Sequence, residues 1–251
     1  MKTKTSLLRR LTKAFTLIEL LVVIAIIGIL AAMLFPAINK AKVAAQVGQA
    51  KADMANIGSA IKSYESDYNG RMPAPGIPTG AQDITYGFVT NALVGHAAVA
   101  GNRDVIAVLM NLETFDNGTV TTNKNKVFNP RGLTPLNANK AGDTKSKGIG
   151  PDGEYRDPWG NSYVISMDTS LNDRCRDIVY ARFRVSQDSG ATGFYGLSNT
   201  NGTPATDTFE FGGQYMIWSL GPDGQVDINT ANSANGKANK GVNRDNVLGW
   251  Q

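Results

Sequence analysis

Residues 15–35 read Phe-Thr-Leu-Ile-Glu-Leu-Leu-Val-Val-Ile-Ala-Ile-Ile-Gly-Ile-Leu-Ala-Ala-Met-Leu-Phe and constrain this chain more than any other stretch. As a helix ending at Pro36 the run would be roughly 33 Å long at 1.5 Å per residue, about the thickness of a bilayer core. It carries one carboxylate, Glu19, near its start. An acid in a membrane-length segment is costly and therefore needs a role. The preceding residues 1–14 hold Lys2, Lys4, Arg9, Arg10 and Lys13 and no acid. A basic leader followed by an apolar run indicates export targeting. No small-residue Ala-x-Ala site follows; Lys40 and Lys42 come next instead. The positive-inside rule keeps the leader in the cytoplasm and sends the bulk of the chain across the membrane.

The segment Ala14-Phe15-Thr16-Leu17-Ile18-Glu19 resembles the processing site of type IV prepilins and of type II secretion pseudopilins. The resemblance implies that a prepilin peptidase cuts between Ala14 and Phe15 and methylates the new amino terminus. Gly usually precedes the cut; here Ala14 does. After cleavage Phe15 would carry a positive amine at a helix N-terminus, where the backbone dipole is also positive. Glu19 lies one turn on. In a bundle of such helices the Glu19 carboxylate of one subunit can meet the Phe15 amine of its neighbour. That pairing offsets the cost of both buried charges and fixes axial register.

Charge follows the leader. The chain has 25 Lys plus Arg and 21 Asp plus Glu; subtracting the five leader bases leaves 20 against 21, near −1. The basic balance is thus no argument for nucleic acid as a partner. Lys124, Lys126, Lys145 and Lys147 read as solvated loop charges. The single cysteine, Cys175, cannot form an internal disulfide and reads as a small buried residue. The single histidine, His96, sits among Leu93, Val94, Ala97, Ala98 and Val99, which favours a structural role. No phosphate-cradling loop, His-Glu-x-x-His motif or cysteine pair is present, so nothing here reads as an enzyme.

Val43, Val47, Ala50, Met54, Ile57, Ile61, Tyr64 and Tyr68 recur at spacings of four and three, one face of an amphipathic helix. Asn56, Ala60, Lys62 and Ser66 fit the exposed side. Asn69-Gly70 signals a left-handed cap, and Met72-Pro73-Ala74-Pro75-Gly76 cannot continue the helix. Pro78-Thr79-Gly80 and Pro130-Arg131-Gly132 mark turns, residues 105–112 a short helix, and residues 117–126 a loop. Strands are expected after Asp157-Pro158-Trp159-Gly160-Asn161, over Arg176–Val185 with a break, and over Tyr215–Ser219. Gly221-Pro222-Asp223-Gly224 has type I turn chemistry, as does the same tetrad at Gly150–Gly153.

The Asp-Pro-Trp-Gly-Asn turn, the later Trp-Ser-Leu-Gly-Pro-Asp-Gly and a tail ending in Trp250 resemble the major pseudopilins of type II secretion. The likeness covers about residues 14–70 and 157–251. It implies an α+β fold, with one long N-terminal helix packed on a small antiparallel sheet of three or four strands with long loops. The implied division is a cleaved leader 1–14, a transmembrane and fibre-core helix 15–38, its amphipathic continuation 39–69, a variable region 70–156, and a sheet with a calcium-type loop 157–251. The implied function is structural: a subunit of an inner-membrane helical fibre, its C-terminal domain periplasmic. Its partners would be copies of itself, other pseudopilins, the prepilin peptidase, and the assembly platform with its ATPase. A surface pilin and a membrane-anchored periplasmic binding protein are the alternatives. In the polar loop 219–251, Asp223, Asp227 and Asp245, with the Leu220 or Gly221 carbonyl, could gather oxygen ligands for calcium. The resemblance favours Asp223 and Asp245 among them.

Overall fold

A computed structural model describes residues 15–76, 82–90, 93–201, 206–231 and 234–251. Leader residues 1–14, with Ala14, and the turn at Pro78-Thr79-Gly80 lie outside the described residues. The chain divides into two compact units, one ending at Ala44 and the other comprising Ala45–Gln251.

The first described residues of the N-terminal unit open α1, which runs over Leu17–Asp67 with Pro36 inside it. From Phe15 through Phe35 every large apolar side chain is exposed. In the second unit the same helix buries Ala50, Met54, Ile57, Gly58, Ala60, Ile61 and Tyr64, with Val47 and Tyr68 packed at the margin. The expected stripe is therefore present, with one correction. Ala60 is buried, not exposed. Its face is widened by Gly58, where a Cβ would meet the Tyr215 hydroxyl at 2.7 Å. The helix stops where its sequence signals. Asn69 takes φ 55°, and the Gly70 N–H donates to the Glu65 carbonyl at 2.9 Å, the longer bond of a Schellman cap.

Five strands cover this helix: β1 (Asp83–Tyr86), β2 (His96–Val99), β3 (Val164–Met167), β4 (Tyr215–Ser219) and β5 (Val247–Leu248), in spatial order β5-β4-β3-β1-β2. All pairings are antiparallel except β1 with β2. The α+β expectation holds, with one more strand than expected and one parallel edge pair. Alternation sorts the side chains. Ile84, Tyr86, Ile165, Met167 and Ile217 join the cluster around α1. Val164, Met216 and Trp218 join a second cluster with Ile178, Val179, Tyr180 and Phe209. The sheet is covered on both faces, which is why β1 and β3 are buried along their whole length.

The region between the helix and the sheet's later strands is also core. Helix α2 (Arg103–Leu109) buries Val105 through Leu109, and Val105, Ile106, Val108 and Leu109 belong to the α1 cluster. Asn102 fastens its start, with Nδ2 donating to the Tyr155 and Tyr163 carbonyls, both at 2.9 Å. Residues 117–126 are loop and turn, ending in a short 3-10 turn at Lys124–Lys126.

One strand expectation fails. Arg176–Val185 contains no strand; turns lead into a short helix at Phe183–Ser186. The buried Asp177 carboxylate accepts the Val179 and Tyr180 N–H groups at 2.8 and 2.9 Å. A short acceptor beside its own backbone offers those amides an alternative to a ladder. Its other oxygen takes the Ser166 hydroxyl at 2.6 Å and the Trp218 indole N–H at 2.9 Å. Ser166 meets Thr85 Oγ1 at 2.7 Å, and His96 Nε2 meets Thr85 Oγ1 at 2.8 Å. His96 is thus structural, as its neighbours imply. Cys175 is free and fully buried.

Asp83 and His96 shift in opposite directions here. Burial raises Asp83 to about 6 from 3.8, though it accepts the Arg176 N–H at 2.9 Å. Burial lowers His96 to about 4 from 6.5, against the pull of Asp177. The folded chain therefore holds an extra proton on Asp83 between those values, and that contribution to stability is lost as pH rises toward 6. His96 acts oppositely: its contribution is lost as pH falls from 6.5 toward 4. Asp83→Asn removes only the first effect. Denaturant titrations of the variant should show stability rising more steeply with pH than wild type over about pH 4–6. Identical pH slopes would refute the assignment.

Candidate functional site

Two places carry the residues singled out from the sequence. The first is the start of α1. Phe15 and Thr16 precede the helix. The Thr16 carbonyl accepts the Leu20 N–H at 3.3 Å, opening the helical ladder. The Glu19 carboxylate reaches back, accepting the Thr16 N–H at 2.9 Å and the Thr16 hydroxyl at 2.7 Å. Thr16 Oγ1 in turn accepts the Glu19 N–H at 3.3 Å. This is a capping box, two reciprocal side-chain caps on otherwise orphan donors. Thr16-x-x-Glu19 is its sequence signature, so Thr16 was legible in the letters and its role was missed. Glu19 thus has a partner inside its own chain, although the segment around it is apolar and exposed.

The second place is the C-terminal loop. Strand β4 ends at Ser219, and the Gly224 N–H closes the expected turn on the Gly221 carbonyl at 3.3 Å. Gly221 has φ 72° and its Cα backs onto the Asp245 carbonyl, where an added Cβ would stand 2.2 Å away. The loop is pinned to the Asp-Pro-Trp-Gly-Asn turn. Buried Asp157 accepts the Trp159 and Asn161 N–H groups at 2.9 Å each through Oδ1. Its Oδ2 accepts the Ser219 hydroxyl at 2.5 Å. Asn161 Nδ2 donates to the Gly221 carbonyl at 3.0 Å. Burial raises the Asp157 pKa while these donors pull it down. Further along, Asn243 clamps Asp227, accepting its N–H at 2.9 Å and donating to its carbonyl at 2.7 Å. Leu220, Val226, Ile228 and Trp250 pack on the second cluster. Neither Asp157 nor Asn243 was singled out as a hub by the sequence; a side chain's several partners leave no periodic trace.

Asp223 and Asp245 come together. The Asp223 N–H points to Asp245 Oδ2 at 3.4 Å, and partial burial with the Asp223 charge raises the Asp245 pKa. Asp227 does not join them; its Oδ1 accepts the Asn229 N–H at 2.6 Å. Among the described residues no three His, Cys, Asp or Glu side chains gather as a metal group. Of the loop lysines, Lys124, Lys126 and Lys145 are exposed as expected, whereas Lys147 pairs with Asp53 at 3.1 Å.

Residues 9–35 match the prokaryotic N-terminal methylation motif. The chain is 36% identical over 104 residues to the fimbrial protein EcpC of Eikenella corrodens, an alignment covering 41% of this chain and 66% of that protein. The chain is a type IV pilin-like protein. It spans just under two thirds of that relative's length. No solved structure matches it. Its α1 is, among the described residues, the one helix long and apolar enough to cross a membrane, compatible with a single-pass anchor near the N-terminus.

The pilin-like fold closes its C-terminal loop through Asp157. Asp157→Ala leaves the Trp159, Asn161 and Ser219 donors without their acceptor in a buried place, each costing about 1–3 kcal/mol. Chemical denaturation should report at least ~2 kcal/mol lost. A loss under about 0.5 kcal/mol, the level of an ordinary surface substitution, would contradict the role.

Proposed function

We propose that this pilin-like chain is a structural subunit of an inner-membrane helical fibre serving type II protein secretion, with residues 39–251 on the periplasmic side. The observation that carries the reading is the fastening of the C-terminal loop. Asp157 joins the Asp-Pro-Trp-Gly-Asn turn to Ser219, and the chain's single cysteine, Cys175, is free and buried. Heterologous contacts that do not close into a ring would build the filament. Processing between Ala14 and Phe15 by a prepilin peptidase, the five-part division of the chain, and an assembly platform with its ATPase belong to the same reading. A surface pilus is the second reading, and the fimbrial relative favours it. Disrupting the gene separates them: secretion substrates should accumulate in the periplasm while surface pili persist. Loss of surface pili with normal secretion would establish the second reading instead.

Assembly in this reading depends on Glu19. Mass spectrometry of the membrane-extracted chain should find a methylated Phe15 as its first residue. Glu19→Val removes a charge from the apolar run, so insertion should be unimpaired. The neighbour's amine then lacks its partner, and fibre yield at equal protein level should fall severely. Normal fibres from Glu19→Val would rule out the pairing.

Calcium in the C-terminal loop is part of the proposal. Asp223 and Asp245 would hold it, with carbonyl oxygens of the 220–221 turn nearby; bound calcium would neutralise their mutual repulsion. Millimolar calcium should raise the melting temperature of the chain, and Asp223→Ala should abolish the rise. Equal melting temperatures with calcium and with chelator in wild type would exclude a stabilising site.

A further inference from the structure

The side of α1 opposite Tyr215 meets segment 137–148, part of the region with no counterpart in the sequence resemblance. Between them lies a cleft of about 220 Å3. That is below the ~300 Å3 at which sites for drug-sized ligands begin, so it suits one ring and not an extended molecule. Gln49, Asp53 and Asn56 line it from the helix, and Asn139, Lys147 and Tyr155 from the other wall.

The charges in this cleft cancel. Asp53 Oδ2 takes Lys147 Nζ at 3.1 Å and the Tyr163 hydroxyl at 2.9 Å. An ionic ligand gains no net attraction there. The remaining capacity is amide. Asn56 Nδ2 donates to the Asn137 carbonyl at 2.6 Å, which fixes that side chain and leaves its Oδ1 open. The side-chain amides of Gln49 and Asn139 make no hydrogen bond among the described residues. An amide offers donor and acceptor side by side, the complement of a hydroxyl, which is both. The Asp53 carboxylate has lone-pair capacity beyond its present partners. Tyr155 is held edge-on to Tyr163, with ring centroids 5.2 Å apart, so the aromatic part of the wall is rigid.

We propose that this cleft binds one ring of a neutral saccharide. Open amides of Gln49, Asn56 and Asn139 would hydrogen-bond its hydroxyls, and the Asp53–Lys147 pair would set neutrality as the selection rule. A site built from hydroxyl-pairing groups discriminates strongly against analogues that lack them.

The full chain, in a zwitterionic detergent that carries no sugar, is titrated with glucose, galactose, mannose and N-acetylglucosamine, and with glucuronate as the charged comparison. Saturation-transfer NMR reads binding. At least one neutral sugar should bind saturably in the millimolar range. Gln49→Leu and Asn139→Leu together should weaken it by about tenfold or more, with an unchanged melting temperature as the check on folding. Both substitutions lie on the surface and leave the Asp53 network intact. No saturable binding by any neutral sugar, undiminished binding by the double variant, or tighter binding of glucuronate would each overturn the proposal.

Discussion

One stripe on α1, from Ala50 to Tyr64, is the constraint on which the second unit depends. Its residues are almost fully buried, and they touch the sheet, α2 and segment 136–155 in a single cluster. Removing a large side chain such as Ile57 from that cluster costs about 2–5 kcal/mol, a sizeable share of the ~5–15 kcal/mol by which domains are stable. The sheet is short-stranded, and neither α2 nor segment 148–156, in which Gly148–Ile149 pairs antiparallel with Tyr155–Arg156, could bury its apolar face alone. The helix supplies the common surface, and Gly58 lets Tyr215 approach it closely.

The same helix obeys opposite rules along its length. The large side chains before Pro36 are all exposed, and no heptad of polar residues relieves them. Exposed apolar surface of that extent marks a membrane or an assembly interface. Carrying both rules on one helix is what makes the chain read as pilin-like. Every large apolar residue of the first segment needs a partner other than its own fold, and those of the second already have one.

Much of this was legible because it is periodic or local. The stripe, the Asn69-Gly70 cap, α2, the β4 strand and the two Gly-Pro-Asp-Gly turns all follow from spacing or turn chemistry. What was not legible depends on long-range polar contacts. Arg176–Val185 has strand-like composition, yet Asp177 captures the amides of Val179 and Tyr180 and faces Ser166 and Trp218 across the core. The parallel pairing of β1 with β2 likewise has no local signature. At the loop, Asp223 and Asp245 lie beside each other, while Asp227 is held by Asn243 and Asn229. A carboxylate's neighbours in sequence do not tell which amide will claim it.

The capping box at Thr16 and Glu19 gives the proposed fibre a definite starting state. A carboxylate in a bilayer core has few ways to satisfy its lone pairs. Here Glu19 takes two donors from Thr16 without leaving its own helix. The cost of inserting the acid is thereby reduced before any neighbour arrives. Assembly would then be an exchange: the Thr16 donors compete with a neighbour's amine for the same carboxylate. A neighbour's amine left unpaired in an apolar bundle would cost roughly 3–5 kcal/mol, and pairing with Glu19 removes that cost. The exchange therefore favours the intersubunit pair once the amine is free. A chain whose leader is still attached lacks that amine and stays self-capped. Processing would thus set the order of events, with the electrostatics of one carboxylate as the gate.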